Sequence, residues 1–346
     1  RHRRRMRGGG RTHNFEGGQK MKKIFIGSVK ERSGKSMLAL GLGLNFSGSV
    51  SYFKPFRESV AVSNGELIDY DTRMMKEALR LDANENKMSP FSIHLTDPVS
   101  ANDVRSAFDA LGEHDLAIIE GSRTFMDGFS SGLSGFDISK ALGADIVLVS
   151  PSDSRSADFL SLLNRAAPLW GVKIKGVVLF GEGDISRALE KNGLEVLGRM
   201  PKQESLGIMT MHETANELKG TILTPVKKEA VNGYSLGVTN AEDISKNVRS
   251  NPDRAVIING NRSELLLSAA YAGAGCIIAA GGIAPPPSLL SVAEGSNCTV
   301  ILTDLDPVAA CEKMERRSLT SVSGNKSKLE SIKKTVAENI NLPKIL

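Results

Sequence analysis

GSVKERSGKS, residues 27–36, lies between an apolar run, KIFIGS at 23–28, and a Leu-rich segment at 36–44. A strand that passes through a glycine-containing loop into a helix leaves the first helical amides facing outward, a ready site for an anion. In Gly34-Lys35-Ser36 the lysine is placed for terminal phosphates and the serine hydroxyl for Mg²⁺. The strict phosphate-loop pattern has glycine five residues before Gly34. Here Val29 stands there, and the nearest upstream glycine is Gly27, so the loop reads as a longer variant. A left-handed valine would be costly. The plain alternative is a GKS that merely starts a helix.

The pattern around this stretch repeats. SVSYF (49–53), DLAIIE (115–120), DIVLVS (145–150), KGVVLF (175–180) and EVLGRM (195–200) are short apolar runs separated by helical segments. Such strands argue for an α/β fold: a mostly parallel sheet with helices on both faces, as in phosphate-loop NTPases. Residues 201–207 read as a linker. TILTP, YSLGV, AVIIN, CIIAAG and NCTVILT then predict the strands of a second, smaller α/β domain. Helices are expected near 211–218 and after Ala241, Ser263, Pro287 and Pro307. The expected division is a basic tail at 1–20, a nucleotide-binding domain at 21–205, a second domain at 206–315 and a polar, partly helical tail at 316–346, packed on the body or free.

The chain has 346 residues and a formal charge of +5. Residues 1–20 hold seven Lys or Arg and one Glu, a net of +6, so the remainder is near −1 (+5 − 6). The basicity thus belongs to the tail rather than to a folded face: the tail could touch nucleic acid or anionic lipid, or be a plain disordered extension, and a nucleic-acid role rests on it alone. No apolar run approaches a membrane span. Three cysteines without a CxxC pair fit a reducing cytoplasm, and five scattered histidines do not suggest zinc.

Magnesium needs further oxygen ligands. Glu120 closes an apolar strand at the carboxyl edge of the sheet, where open α/β sheets bind ligands. Asp69 and Asp71, in LIDYDTRMMKEAL (67–79), stand at a helix start and are candidates for the metal or for a cap. Lys54, in YFKPF (52–56), is directed toward the same edge by Pro55 and could hold a carboxylate or phosphoryl group. In GSRTF (121–125), Arg123 could neutralise phosphate or lie on the surface.

IFIGSVKERSGKSMLALGLG, YFKPF, DYDTRMMKEAL and DLAIIEGS resemble the ATPase-like half of dethiobiotin synthetase, and more closely the front domain of long phosphotransacetylases. The resemblance implies ATP on Gly34, Lys35 and Ser36, Mg²⁺ held by Ser36, Asp71 and Glu120, and substrate on Lys54. Lys30, five residues before Lys35, is placed like the second, nucleotide-reaching lysine of dimerising ATPases, although Glu31 and Arg32 replace that variant's glycines. The segments 200–218, 255–290 and 298–314 resemble the DRTGG domain, whose GDR step appears as Gly260-Asn261-Arg262 and whose glycine pair appears as Gly281-Gly282. Two departures stand out. GSRTF replaces a Gly-rich segment, and Phe180 replaces an asparagine that serves the base in the synthetases. The expectation is that the regulatory front half stands here without the acetyltransferase domain.

In the second domain two strand ends with glycine and Arg262 could form a small anion pocket, or only ordinary turns. The expected function is an ATP- and Mg²⁺-binding protein with a regulatory or ligand-sensing second domain that self-associates, with slow hydrolysis left open. The alternative is an ATP-dependent synthetase acting on a carboxylate or carbamate held by Lys54. An architectural protein with a decayed loop is a third.

Overall fold

A computed structural model describes residues 21–31, 33–58, 60–63, 66–92, 99–201, 208–237, 239–320 and 326–346. The basic tail and most of the expected linker lie outside the described residues. The first sheet has six strands: β1 (Lys22–Ser28), β2 (Val50–Phe53), β3 (Leu116–Glu120), β4 (Asp145–Pro151), β5 (Ile174–Phe180) and β6 (Val196–Met200). All neighbouring pairs are parallel, in the order β6-β5-β4-β1-β3-β2. Each expected strand of this half is present. Alternation within β1 shows why its apolar run is continuous: Ile24 and Ile26 enter one core, while Phe25 enters the other with Phe125 and Phe136.

The second sheet comprises β7 (Thr221–Ile222), β8 (Tyr234–Leu236), β9 (Ala255–Asn259), β10 (Cys276–Ala280) and β11 (Thr299–Leu302), in the order β7-β11-β10-β9-β8. Only β7 runs antiparallel to its neighbour. A separate two-stranded pair, 208–210 with 230–232, was not legible in the sequence, nor were the short pairs within 56–92. Two- to four-residue strands carry too little periodicity.

Helix α1 (Lys35–Asn45) leaves the loop, α2 (Tyr70–Leu79) follows the acidic segment, α3 (Ser154–Ala166) follows β4, and α4 (Lys326–Asn339) is the last long helix. Residues 326–346 pack on the body rather than trailing free. Ile332, Val336, Ile340 and Ile345 enter the same core as Leu38, Leu40 and Leu42 of α1. Asn45 Nδ2 donates to Lys333 O at 2.9 Å, and the Asn341 amide donates to Leu197 O at 2.7 Å. The chain leaves the first sheet at β6, builds the second sheet, and returns to cover α1.

Gly41 makes that return close-fitting, since a Cβ there would meet Val336 Cγ2 at 2.2 Å. In a solvent-facing helix Gly→Ala raises stability by about 1 kcal/mol. Here Gly41→Ala is expected to lower it by about 1–3 kcal/mol through overpacking, measured by urea unfolding. A rise in stability would show that α4 is not seated on α1. Among the described residues no helix is long and apolar enough to cross a membrane.

Candidate functional site

The loop is built by its flanks. The Val29 amide donates to Val149 O at 3.2 Å, so Val29 continues β1 along β4 and is not asked to be left-handed. The left-handed position is Gly34 (φ 86°, ψ 20°), directly before α1. The missing upstream glycine is therefore not needed there. No side chain caps α1, which leaves its first-turn amides directed into the loop. The Phe180 ring lies against Gly34, where a Cβ would come within 2.4 Å of Cζ. This residue, a departure from the synthetase pattern, backs the loop.

Lys35 is buried. Its Nζ donates to Ser28 Oγ at 2.8 Å and to Arg123 O at 2.9 Å. Burial pushes its pKa down, opposed by the nearby Glu120 and Glu58 carboxylates. The Ser36 hydroxyl donates to Glu120 Oε1 at 2.7 Å, and the Tyr52 hydroxyl donates to Glu120 Oε2 at 2.8 Å. Glu120 is 2% exposed. Its pKa is raised to about 7, chiefly by burial and then by Asp71, against the pull of Lys54, Lys35 and the Ser36 hydrogen bond.

Lys54 is fully buried where β2 ends. Its Nζ meets Asp69 at 3.2 and 3.1 Å and Asp71 at 2.6 Å, with Glu58 at 3.9 Å. Burial works against its charge, but Asp71, Asp69, Glu120 and Glu58 together outweigh it and raise its pKa well above the usual lysine value. Asp69 is both cap and partner: it accepts from the Thr72 amide at the start of α2 and from the Glu58 amide. Burial resists its ionisation, yet Lys54 and those amides hold its pKa below the ordinary value.

The structure thus brings Gly34, Lys35, Ser36, Lys54, Asp71 and Glu120 to one carboxyl edge. Lys30 is turned elsewhere, onto Asp153, the N-cap of α3, at 2.8 Å. That hydrogen bond is the main cause of an Asp153 pKa near 2. Sequence reasoning missed Tyr52 and Glu58. Strand alternation offered a signal for Tyr52, because residues two apart share a face and Lys54 follows at that spacing.

Glu58, Asp69, Asp71 and Glu120 lie around the Lys35 and Lys54 ammonium groups, four carboxylates beside two cations among the described residues. The structure meets that surplus by keeping a proton on Glu120 up to about pH 7. Among the described residues no group of three or more His, Cys, Asp or Glu is arranged to hold a metal alone. One serine hydroxyl and one carboxylate side by side instead fit Mg²⁺, which takes few protein ligands and completes its shell with phosphate and water.

At the carboxyl edge of the second sheet the Gly281 and Gly282 amides donate to Leu305 O and Thr303 O. Arg262 pairs with Glu264 at 2.8 Å. Asp304 stands beside Gly282.

The family described as AAA domain matches residues 22–210, and the family described as DRTGG domain matches 213–317. Three solved structures are similar to parts of the chain. One is the CBS and DRTGG regulatory region of a Clostridium perfringens pyrophosphatase complexed with its activator diadenosine tetraphosphate (16% identity, TM-score 0.31); the match covers 39% of this chain and 62% of that one. The second is the septum site-determining protein MinD of Pyrococcus horikoshii OT3 with Mg-ADP (15%, TM-score 0.36, 53% and 82%). The third is the MinC:MinD cell division complex of Aquifex aeolicus (13%, TM-score 0.34, 54% and 83%).

Proposed function

Because the chain belongs to the AAA domain family through residues 22–210 and carries a DRTGG domain after it, we propose that it is an ATP- and Mg²⁺-binding protein whose second domain senses a ligand and regulates the first. The carrying observation is the surplus of buried carboxylate beside an uncapped, glycine-led helix. In this reading the amides of Lys35 and Ser36 cradle phosphate and the Lys35 ammonium exchanges its present oxygens for phosphate oxygens. Ser36 and Glu120, with Asp71 nearby, hold the cation. Bound Mg²⁺ would neutralise phosphate charge and take the place of the Glu120 proton. Lys30 stays with Asp153.

The synthetase alternative asks Lys54 to hold a substrate carboxylate. Its Nζ already meets three carboxylates of this chain, which favours a structural role and the regulatory reading.

The test is calorimetric titration with ATP, with and without Mg²⁺, alongside Lys35→Ala. Magnesium-dependent binding is expected, weakened in the variant by about 10- to 100-fold, the worth of one charge-assisted hydrogen bond. A folded wild-type chain that binds no ATP would overturn the reading.

A further inference from the structure

A cavity of about 650 Å³ lies at the far end of α1 from the loop, beside the edge strand β2. Eleven residues of helix separate the two places by about 16 Å. Phe46, Leu79, Leu81 and Leu111 supply apolar lining, and Gly43 and Gly48 belong to it. The volume lies in the usual range for small-molecule sites.

The strand contributes main chain to this lining. The Leu116 amide donates to Ser49 O, so Ser49, Ser51 and Phe53 turn their backbone groups toward β3. The groups of Val50 and Tyr52 face the other way, into the cavity, and have no main-chain partner among the described residues. Each residue presents an N–H and a C=O side by side, a pairing that matches the donor–acceptor edge of a heterocycle.

Arg80 stands in the lining as well. It caps the end of α2 in the left-handed conformation (φ 54°, ψ 50°), which favours glycine. It is exposed and has no ion-pair partner among the described residues. A cation in a left-handed cap, with no ion-pair partner among the described residues and beside a cavity with free strand edge, points to an anionic ligand. His114 and Asp82 share the lining.

We propose that this cavity is a second ligand site, taking a planar heterocycle that bears an anionic group, the chemistry of a nucleoside monophosphate. The heterocycle pairs with the backbone of Val50 and Tyr52, between apolar walls, and the anion meets Arg80.

The experiment titrates AMP into the full chain and into Lys35→Ala, with calorimetry and amide exchange as readouts. Saturable binding that survives Lys35→Ala and slows exchange at residues 50–52 is expected. Arg80→Gly should weaken that binding by about tenfold or more while raising the melting temperature, because strain at the cap is relieved. No saturable binding to the wild-type chain, binding abolished by Lys35→Ala, or unchanged affinity in Arg80→Gly would each overturn the proposal.

Discussion

Magnesium-dependent ATP affinity should climb about tenfold per pH unit up to about pH 7 and then level, because Glu120 must shed its proton before it can face a cation. Glu120→Gln should abolish both the magnesium dependence and its pH profile, measured by calorimetry across that range. The same residue sets a stability trend of opposite sense. Its folded pKa, about 7, exceeds the ordinary value of 4.5, so between the two the folded chain holds a proton that the unfolded chain has lost. Stability is therefore fully present below pH 4.5 and falls, by about 3 kcal/mol in all, as pH rises through 7. The glutamine variant keeps neutral partners for the Ser36 and Tyr52 hydroxyls and escapes this penalty. It should melt higher than the parent at about pH 8 while failing to bind Mg²⁺-ATP tightly. A variant that melts lower there would show that burial does not raise the folded pKa of Glu120.

The second large effect is expected at Lys54. Removing one partner from a buried ion cluster leaves the others uncompensated and costs about 3–5 kcal/mol. Lys54→Met strands Asp69, Asp71 and Glu58, of which Asp69 is fully buried. The loss should be greater at alkaline than at acid pH, because protonation at acid pH relieves the stranded carboxylates. Asp71→Asn added to Lys54→Met should restore part of the stability, a coupling readable by a double-mutant cycle in urea. If the single variant loses less than about 1 kcal/mol, the cluster is hydrated and Lys54 is free for a substrate.

Much of this site was legible because its residues stand where backbone geometry announces them. Lys35 and Ser36 open a helix, Glu120 closes an apolar strand, and Asp69 and Asp71 begin α2. The carbonyl of Arg123, which holds Lys35, was not legible, since main-chain contacts leave no mark on residue identity. Glu58 was hidden for a different reason: it joins Lys54 only after the chain turns at Pro55, and its burial is tertiary. The partner of Lys30 depends on where α3 starts in space, 123 residues away. In the last segment Leu329, Ile332, Val336 and Ile340 do follow helical spacing, but the Lys and Ser residues between them mask it.

The return of α4 onto α1 also sets an order of events during synthesis. The ribosome makes the loop and α1 early, yet Ile332, Val336, Ile340 and Ile345, which complete their core, come last. At about 5–20 residues per second, the roughly 290 residues between Asn45 and Val336 take about 15–60 s to emerge. Throughout that interval one flank of α1 lacks its cover, and the second sheet, whose strands end at Leu302, is made before that cover arrives. The core around α1 is therefore completed after the second sheet, and a nascent protein halted short of residue 326 would offer the apolar flank of α1 to chaperones.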